Sequence, residues 1–473
     1  MQKNKSAWQQ LTFIRIGLVA SVMGTSLTAL AQVPDATISG PIGVQPTGDA
    51  SHNFIYNASA VDLQSRGYTE EEYFITGTAN RYSSPGMSTG EIEDSGHPYK
   101  TRFFVRRPPA ADFNGTVVIE WLNVTGGTDK DIDWWQSGPH LVANGYAFIG
   151  VSAQREGIES LKQWSPERYG SLDVTHDGMV MNDALSYDIF SAIGKAVNRV
   201  GENTARGQVD IMAGLKAEKI VATGHSQSAS RLANYLNNVH PRDPVFDGAI
   251  VHGGGGQIRD DQDVRIFKLM AETDMPRRAA DPQPDSNYFR QWEVAGSSHV
   301  DIIFELEYAR ERALANGDPI GMATERNPGC ELPAYSHVPF RDVMDAAFEH
   351  MQNWIANGTP PPKAPPLAVA RMLPELEFAR DSYGNILGGI RLAEHAVPTA
   401  KNTGMNNGSN RFCFLYGSHE PFDQATLKRL YPNHSSYVNA VRAVAEQNVA
   451  DGYILPEAAA RTIREAEQSA IGR

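Results

Sequence analysis

Apolar residues are concentrated in short runs that are separated by polar turns containing Gly or Pro. Two of these runs, 116–124 and 146–152, are almost continuously apolar and rich in β-branched and aromatic residues. Such runs are typical of strands that are buried on both faces of a sheet. Shorter runs, which we also predict to be strands, lie at 101–105, 219–223, 249–251 and 265–271.

Helical periodicity is found between and after these predicted strands. In the segment at about 179–200, apolar residues recur at every fourth position, which places them on one face of a helix. A second helix is predicted to start near Ala229, and a third covers about 341–357. The third helix is followed by Gly358, a residue that commonly ends helices.

The alternation of strands and helices predicts an α/β fold, with a mostly parallel sheet and helices on both faces. We expect this core to occupy residues 32–358, including an irregular N-terminal extension. The Pro-rich stretch 359–366 is predicted to be a linker. Residues 367–473 are then a C-terminal extension that packs on the core and is mainly helical in its second half.

The first 31 residues have the features of an export signal. Lys3, Lys5 and Arg15 precede a short apolar stretch that ends at an A-x-A cleavage site, residues 29–31. The stretch is too short and too interrupted to be a membrane-spanning helix. No cysteine that could carry a lipid anchor follows the cleavage site. We therefore expect an exported protein, periplasmic or secreted, without a membrane anchor.

The charge and the cysteine content limit the partners and the chemistry. With 55 acidic and 42 basic residues, the formal net charge is −13. This charge argues against nucleic acid and anionic membrane surfaces, since both require a basic face. The chain has two cysteines, Cys330 and Cys413, and no C-x-x-C pair. In an oxidising compartment they can form a disulfide, which we predict fastens the C-terminal extension to the core.

One acidic stretch has part of the pattern of a calcium loop. Aspartates alternate along residues 129–133, but Trp134 occupies the position of the required glycine, and His140 that of the closing acid. We therefore predict a solvated acidic loop, and we expect neither a metal nor another cofactor. Trp134 and the adjacent Trp135 are predicted either to line a substrate cleft or to pack in the core.

The segment Gly224–Ser228 (GHSQS) stands between a predicted strand and a predicted helix. This is the context of a nucleophile elbow, a sharp turn that exposes a serine hydroxyl and needs small residues two positions before and after the serine. Gly224 meets this need, whereas Ser228 replaces the usual second glycine. Ser226 is therefore the candidate nucleophile, and the alternative is a serine that only begins a helix.

A nucleophilic serine needs a general base and a carboxylate that orients the base. Where the serine is on an elbow of this kind, the chain order is serine, acid, histidine. His299 fits this order and follows a glycine turn. Two acids, Glu272 and Asp274, follow the strand at 265–271; we favour Asp274 and keep Glu272 as the alternative. The weaker histidine candidates are His252, His337, His395 and His419.

Acyl transfer also needs N–H groups that stabilise the oxyanion. We expect one from the backbone of Gln227 and another from the loop after the strand at 116–124, at Asn123, Val124 or Thr125. The run 252–255 (HGGG) has the composition of a lipase oxyanion motif. Because it follows the candidate nucleophile in the chain instead of preceding it, we interpret it as a loop after a later strand.

Six segments taken in order carry a resemblance to a known family: VVIEWLNVTGG, GYAFIGVSAQREG, GHSQSASRL, AETD, VAGSSHVD and DSYGNILGGIRL. Together they are similar to the large, exported α/β-hydrolase-domain proteins of bacteria, over most of residues 100–473. The resemblance implies an α/β-hydrolase fold and a Ser–acid–His triad. By this resemblance, the triad residues are Ser226, His299 and one of the acids of 272–274. The resemblance implies little about the substrate.

These observations give the hypothesis of an exported serine esterase that cleaves a small-molecule carboxylic ester through an acyl-enzyme. A peptidase or amidase of the same fold is one alternative. A catalytically idle scaffold that binds a ligand or partner is another, because fold does not fix function. The presence of Ser226, His299 and the two acids favours a catalyst. The acyl and alcohol parts of the substrate and the oligomeric state do not follow from the sequence.

Overall fold

The computed structural model describes residues 32–197, 209–277, 282–318, 329–374 and 376–473. The predicted export signal and the last residues of the helix predicted at 179–200 lie outside these ranges. Within them, nine strands form one sheet. In chain order these strands are β1 (Thr37–Ser39), β2 (Thr69–Tyr82), β3 (Ile92–Arg107), β4 (Thr116–Trp121), β5 (Ala147–Val151), β6 (Lys219–His225), β7 (Gly248–His252), β8 (Arg265–Ala271) and β9 (Phe289–Val294).

The spatial order of the strands is β1-β2-β3-β5-β4-β6-β7-β8-β9. The strands from β5 to β9 pair in parallel, and β1, β2 and β3 add an antiparallel edge next to β5. The predicted α/β class with a mostly parallel sheet is therefore confirmed. The carboxyl ends of the parallel strands meet at one edge, where ligands bind in open α/β sheets.

The antiparallel edge was mostly missed by the sequence analysis. β2 was not predicted, and β3 has 16 residues where the sequence indicated a strand only at 101–105. The first half of β3 is polar and exposed, so it lacks the apolar signal of a buried strand. This half of β3 is nevertheless a strand, because β3 pairs with β2 along almost its whole length.

Helices cover both faces of the sheet. In chain order they are α1 (Ile132–Ala143), α2 (Arg155–Trp164), α3 (Pro166–Tyr169), α4 (Ser186–Ala196), α5 (Gln227–Asn238), α6 (Ile302–Asn316), α7 (Phe340–Asn357), α8 (Ala393–Ala396), α9 (Cys413–Tyr416), α10 (Gln424–Leu430), α11 (His434–Ala450) and α12 (Pro456–Gln468). A 3₁₀ turn, Glu272–Arg277, directly follows β8.

Alternate residues of the central strands pack into two different cores. In β4, Val117 and Ile119 belong to a cluster that includes Ile189 of α4 and Leu232 of α5. Val118, between them, belongs to a second cluster that includes residues of α1 and α7. Burial on both faces explains why this strand reads as a continuous apolar run instead of an alternating one.

The predicted helices are present with shifted ends. The helix predicted from about residue 179 begins at Ser186, after Asp183 adopts a positive φ of 58°. The helix predicted to start near Ala229 begins two residues earlier, at Gln227. α1, α2 and α6 were not predicted. In α1 almost every residue is buried, polar ones included, so it lacks an alternation of apolar and polar faces.

The prediction of a solvated acidic loop at 129–133 is wrong. Asp129, Asp131 and Asp133 are all buried. Arg102 of β3 pairs with Asp129 at 3.1 Å, and Arg106 of the same strand pairs with Asp131 at 2.7 Å. The compensating charges come from a strand more than twenty residues earlier, which local sequence does not reveal. Buried carboxylates need such partners, since an unpaired buried charge is strongly unfavourable.

The C-terminal residues add two small hairpins and three longer helices. β10 (Val369–Arg371) pairs with β11 (Glu377–Phe378), and β12 (Ala400–Thr403) pairs with β13 (Ser418–Pro421). The Pro-rich stretch before them contacts the sheet, because Trp292 Nε1 of β9 donates to the Pro362 carbonyl at 2.8 Å. The C-terminal helical region that the sequence predicted is formed by α10, α11 and α12.

Candidate active site

Ser226 lies at the sharp turn between β6 and α5. Its φ of 61° and ψ of −112° are unusual for a residue with a side chain, and such strain is typical of functional sites. Its N–H donates to the His252 carbonyl at 2.9 Å, which fixes the turn against the end of β7. The strand–turn–helix geometry is therefore that of the predicted elbow.

The residues that flank Ser226 explain why the second glycine of the motif is not required. The buried Ser228 hydroxyl donates to the His225 carbonyl at 2.9 Å, so this side chain stabilises the turn. At Gly224, by contrast, a Cβ atom would lie only 3.2–3.3 Å from the backbone and hydroxyl of Ser228. The turn thus accepts a serine two positions after Ser226 but leaves little room for a side chain two positions before it.

Of the two candidate acids, the structure places Asp274 against His299. Nδ1 of His299 lies 2.6 Å from Oδ1 of Asp274, and the other carboxylate oxygen accepts from the Ala271 N–H at 2.8 Å. Burial would raise the pKa of Asp274, but the charge and hydrogen bond of His299 outweigh it and lower that pKa below its ordinary value. A carboxylate only accepts hydrogen bonds, so Nδ1 of His299 carries the proton.

Glu272 has different partners. Its carboxylate accepts from Arg380 at 2.7 Å and from the Gly296 N–H at 3.2 Å. Burial raises the pKa of Glu272, and the charge of Arg380 opposes this rise. Glu272 therefore links the glycine turn that precedes His299 to the C-terminal region, and it does not contact the imidazole.

Two further histidines surround His299. The ring centroid of His225 lies 4.3 Å from that of His299 and 4.3 Å from that of His252. Burial, together with the charges of His299 and His252, lowers the pKa of His225 well below its ordinary value, so this ring stays neutral. The close packing is possible because residue 253 is a glycine with a φ of 64°; a Cβ there would lie 3.1 Å from His299 Nδ1.

His252, a weaker candidate in the sequence analysis, belongs to a second histidine–carboxylate pair. Its Nδ1 lies 2.7 Å from Oδ1 of the buried Asp133, and its ring stacks on Phe340 with a centroid separation of 4.7 Å. The other oxygen of Asp133 accepts from the Thr223 hydroxyl of β6. His252 ends β7, so the run 252–255 follows a later strand, as interpreted from the sequence.

A cavity of about 240 Å³ brings the candidate residues together. Ser226, His225 and His299 line it, together with Asn123 and Thr125 of the loop after β4. Neither His252 nor Glu272 is among the described residues that line this cavity. The remaining described residues of the wall are Gly126, Lys130, Ile132, Val300, Phe304, Glu305, Tyr308, Phe412, Leu415 and Tyr416.

The loop after β4 is held rigidly beside the elbow. The Asn123 N–H donates to the Lys130 carbonyl at 2.9 Å, and the Thr125 N–H donates to Asn123 Oδ1 at 2.7 Å. Both N–H groups are therefore occupied, which leaves Val124 as the oxyanion candidate in this loop. The Asn123 side chain has a role that the sequence did not predict, because its Nδ2 donates to the His225 carbonyl at 2.8 Å.

Lys130 closes the same loop from its other end. Its ammonium donates to the carbonyls of Thr125 and Thr128 at 2.8 and 2.9 Å and to the Thr128 hydroxyl at 2.8 Å. Burial, reinforced by the charge of Arg312, lowers the pKa of Lys130 to about 8. Its hydrogen bonds thus maintain the shape of the loop that faces Ser226.

The site also contains residues that sequence reasoning did not find. Phe304 and Tyr308 of α6 contribute to the cavity, and Trp135 packs against them with centroid separations of 5.2 and 5.5 Å. Trp134 and Trp135 are both buried, and neither is among the described residues that line the cavity. α6 begins three residues after His299, and this proximity is the one sequence signal that could have indicated its role.

Cys330 and Cys413 form a disulfide, with their Cα atoms 5.5 Å apart. Cys413 is the first residue of α9, and Phe412, Leu415 and Tyr416 around it line the cavity. The predicted pairing is therefore present. It joins the C-terminal region to the residues that precede α7, directly beside the candidate site.

The described ranges contain neither a metal-binding cluster nor a membrane-spanning helix. No group of three or more His, Cys, Asp or Glu side chains there has the arrangement of a metal site. In the same ranges, no helix combines the length and apolar character that crossing a membrane requires.

The sequence matches the alpha/beta hydrolase domain family over residues 38–464. No curated protein shows significant sequence similarity to the chain. Solved structures that it resembles include a lid-free α/β serine hydrolase from Xanthomonas campestris, at 13% identity and a TM-score of 0.29, covering 51% of this chain and 93% of that one. A dienelactone hydrolase from Anabaena variabilis is 14% identical, with a TM-score of 0.27 and coverages of 50% and 94%.

A third similar structure is a rice cell wall degrading esterase from Xanthomonas oryzae. It is 11% identical, with a TM-score of 0.24, and the match covers 46% of this chain and 48% of that one. The family match extends over most of the chain and agrees with the sheet order and with the elbow at Ser226. The predicted α/β-hydrolase fold is thus confirmed, and the chain belongs to the alpha/beta hydrolase domain family.

Proposed function

We propose that this α/β hydrolase is an exported serine esterase with Ser226 as its nucleophile. One observation carries the proposal: Ser226, on a strained turn, lines the same cavity as His299, whose Nδ1 lies 2.6 Å from Asp274. A nucleophile, a histidine and a carboxylate that orients the histidine are the groups that acyl transfer requires.

The first half of the reaction forms an acyl-enzyme. Because Nδ1 of His299 donates to Asp274, Nε2 is the atom that can accept the proton of the Ser226 hydroxyl. Ser226 Oγ attacks the ester carbonyl carbon, and the proton moves to Nε2. The tetrahedral intermediate then expels the alcohol, which takes the proton from His299, and the acyl group remains bonded to Ser226.

The second half repeats these steps with water. His299 removes a proton from water, the resulting hydroxide attacks the acyl carbon, and Ser226 regains its proton as the carboxylic acid leaves. Among the described residues the Ser226 hydroxyl has no hydrogen-bond partner. Its hydrogen bond to His299 would therefore form with substrate bound, as is common in enzymes whose free sites are loosely arranged.

The negative charge that develops on the carbonyl oxygen needs N–H donors. Gln227 is the first residue of α5, so its N–H has no acceptor within the helix and lies at the positive end of the helix dipole. We assign this N–H and that of Val124 to the oxyanion hole. Asn123 contributes indirectly, because its Nδ2 fixes the loop of Val124 to the elbow at the His225 carbonyl.

Export is the remaining element of the proposal. The features of residues 1–31 and the Cys330–Cys413 disulfide both support an oxidising, extracytoplasmic location. Fractionation of cells that express the full chain, followed by mass spectrometry, tests it directly. We expect a periplasmic or secreted protein whose first residue is Gln32, and an intact Met1 in the cytoplasmic fraction would contradict export.

The esterase assignment is tested with purified mature protein and with Ser226→Ala. We expect the wild type to hydrolyse 4-nitrophenyl acetate or butyrate, and the variant to lose on the order of 10⁴-fold or more of kcat/KM. Matched 4-nitroanilides measure amide hydrolysis in parallel. Comparable turnover of the anilides would favour a peptidase or amidase. No turnover of either series by a folded wild type would favour a non-catalytic scaffold.

A further inference from the structure

One wall of the catalytic cavity comes from a segment that is far from the other site residues in the chain. Phe412, Leu415 and Tyr416 line the cavity together with Ser226 and His299. We call residues 412–416 the C-terminal wall. Since the candidate nucleophile precedes this segment by almost two hundred residues, the cavity is complete only when the C-terminal region is docked beside the elbow.

Three attachments hold the C-terminal wall in place. Cys413, within it, is buried and bonded to Cys330. The Val300 N–H, one residue after His299, donates to the Leu415 carbonyl at 2.9 Å. The Ser336 N–H donates to the Tyr416 carbonyl at 3.1 Å. The disulfide is the covalent attachment of the three, and it lies within the wall itself.

The wall gives the cavity an aromatic surface. Phe412 and Tyr416 add their rings to those of Phe304 and Tyr308 from α6, so the lining is rich in flat apolar groups. Aromatic side chains favour flat aromatic partners, through stacked and edge-on contacts as well as through burial. The ring of Tyr335 packs against that of Tyr416, at a centroid separation of 4.9 Å, and supports the wall from outside the cavity.

The cavity is large enough for these rings to enclose a small aromatic group. Its volume is about 240 Å³, and a protein cavity of about 150 Å³ is known to hold one benzene molecule. The space therefore fits one aromatic ring together with the short ester group that must reach Ser226. Two polar groups of its lining residues, Nδ2 of Asn123 and the backbone N–H of Thr125, already have hydrogen-bond acceptors.

We propose that the C-terminal wall, fastened by the Cys330–Cys413 disulfide, is the specificity determinant of the site and selects esters that carry a single aromatic ring. The inference rests on the proposed esterase function. It goes further by naming the substrate class and by assigning the disulfide a role in substrate binding. The ring can belong to the acid or to the alcohol of the ester, and the substrates used in the test distinguish these two sources.

The first test compares three esters in a pH-indicator assay: vinyl acetate without a ring, vinyl benzoate with a ring in the acid, and phenyl acetate with a ring in the alcohol. The wild type is expected to have a kcat/KM at least about tenfold higher for one of the ring-bearing esters than for vinyl acetate. Equal or lower values for both ring-bearing esters would overturn the proposal.

Substitutions within the C-terminal wall provide a matched comparison. Phe412→Ala and Leu415→Ala remove side chains that line the cavity. Phe414→Ala is the control, because Phe414 belongs to the same short helix but is 45% exposed and is not among the lining residues. We expect the first two variants to raise KM for the ring-bearing ester about tenfold more than they raise KM for vinyl acetate. The control should resemble the wild type with all three esters.

The double variant Cys330→Ser/Cys413→Ser tests the attachment. It should show the same selective rise in KM while a fluorophosphonate still labels the protein, which verifies that the elbow is folded. If this variant does not fold, reduction of the folded wild type with dithiothreitol replaces it. Wild-type selectivity after loss of the disulfide would contradict the assigned role.

The experiments distinguish a failure of the proposed aromatic specificity from a failure of the proposed esterase function. If the wild type and the variants hydrolyse esters but do not prefer the ring-bearing ones, the proposed role of the wall is overturned and the esterase assignment stands. A wild type that neither hydrolyses vinyl acetate nor reacts with the fluorophosphonate would overturn the esterase assignment itself.

Discussion

Oδ1 of Asp274 lies 2.6 Å from Nδ1 of His299, whereas the carboxylate of Glu272, two residues earlier, is bound by Arg380. The two acids lie only two residues apart in the chain, but their side chains have different partners. The pKa of Asp274 is lowered, since the charge and hydrogen bond of His299 outweigh its burial, and burial raises that of Glu272. Their substitutions should therefore have separable effects.

We predict that Asp274→Asn lowers kcat by on the order of 10⁴-fold, because an amide can donate to Nδ1 and hold the imidazole in the wrong tautomer. Glu272→Gln should lower kcat by less than about tenfold. It should instead reduce the free energy of unfolding by about 1–3 kcal/mol, since Arg380 and the Gly296 N–H lose a charged acceptor. Steady-state kinetics and urea denaturation measure the two effects. A larger kinetic loss for Glu272→Gln would make Glu272 the orienting acid.

The histidines allow a similar comparison, because both His299 and His252 pair with a buried carboxylate. We predict that His299→Gln abolishes ester hydrolysis, with a loss of about 10⁴-fold or more in kcat. His252→Gln should cost less than about tenfold in kcat, because among the described residues His252 does not line the cavity. Steady-state kinetics of the two purified variants measures both losses of kcat. A larger loss for His252→Gln than for His299→Gln would make His252 the general base.

The two acids and the two histidines show which features of the site could be predicted from the sequence. The elbow was predictable because strand, turn and helix are contiguous around Ser226 and each leaves a local signal. The choice between Asp274 and Glu272 was open, because it depends on Arg380, more than one hundred residues later in the chain. The burial of Asp131 was missed for the same reason, since its partner Arg106 lies on a distant strand.

Most of the cavity could not be predicted from the sequence. Its C-terminal wall depends on tertiary docking, and the pairing of Cys330 with Cys413 was predicted without its location beside the cavity. The fold class, by contrast, followed from the apolar runs of the central strands. Strand β2, in the antiparallel part of the sheet, was missed because its exposed and buried residues alternate irregularly.

Asn123 is predicted to act as a positioning residue. Asn123→Ala removes the hydrogen bond from Nδ2 to the His225 carbonyl, so the loop that carries Val124 loses its attachment to the elbow. We expect kcat to fall about tenfold or more, with KM changed by less than about threefold, because the loss affects the transition state. Asn144→Ala is the control, since Asn144 also donates to a backbone carbonyl but lies at the exposed end of α1. Equal effects of the two substitutions would refute the role of Asn123.

His419 of β13 should make the C-terminal region sensitive to acid. Burial and then the charge of the stacked His337 lower the pKa of His419 to about 4. An unfolded histidine has a pKa of about 6.5. Between these values the unfolded chain binds more protons, so this residue reduces stability as the pH falls from about 6.5 towards 4.

We therefore predict that His419→Gln weakens the loss of stability between pH 7 and pH 5, measured by urea denaturation of variant and wild type side by side. Glu394 and Glu465 line the same cavity as His419, and burial raises the pKa of Glu394 to about 7. Glu394 titrates in the opposite sense and is present in both proteins, so it does not account for a difference between them. An identical pH dependence of the two proteins would contradict the prediction.

The most direct test of the central claim is the mass of the intact mature protein after reaction with a fluorophosphonate, followed by peptide mapping. We predict a single adduct on Ser226, absent from Ser226→Ala and strongly slowed in His299→Gln, since the nucleophile needs its base. An adduct on another residue, or labelling that persists in Ser226→Ala, would contradict the assignment of Ser226 as the nucleophile.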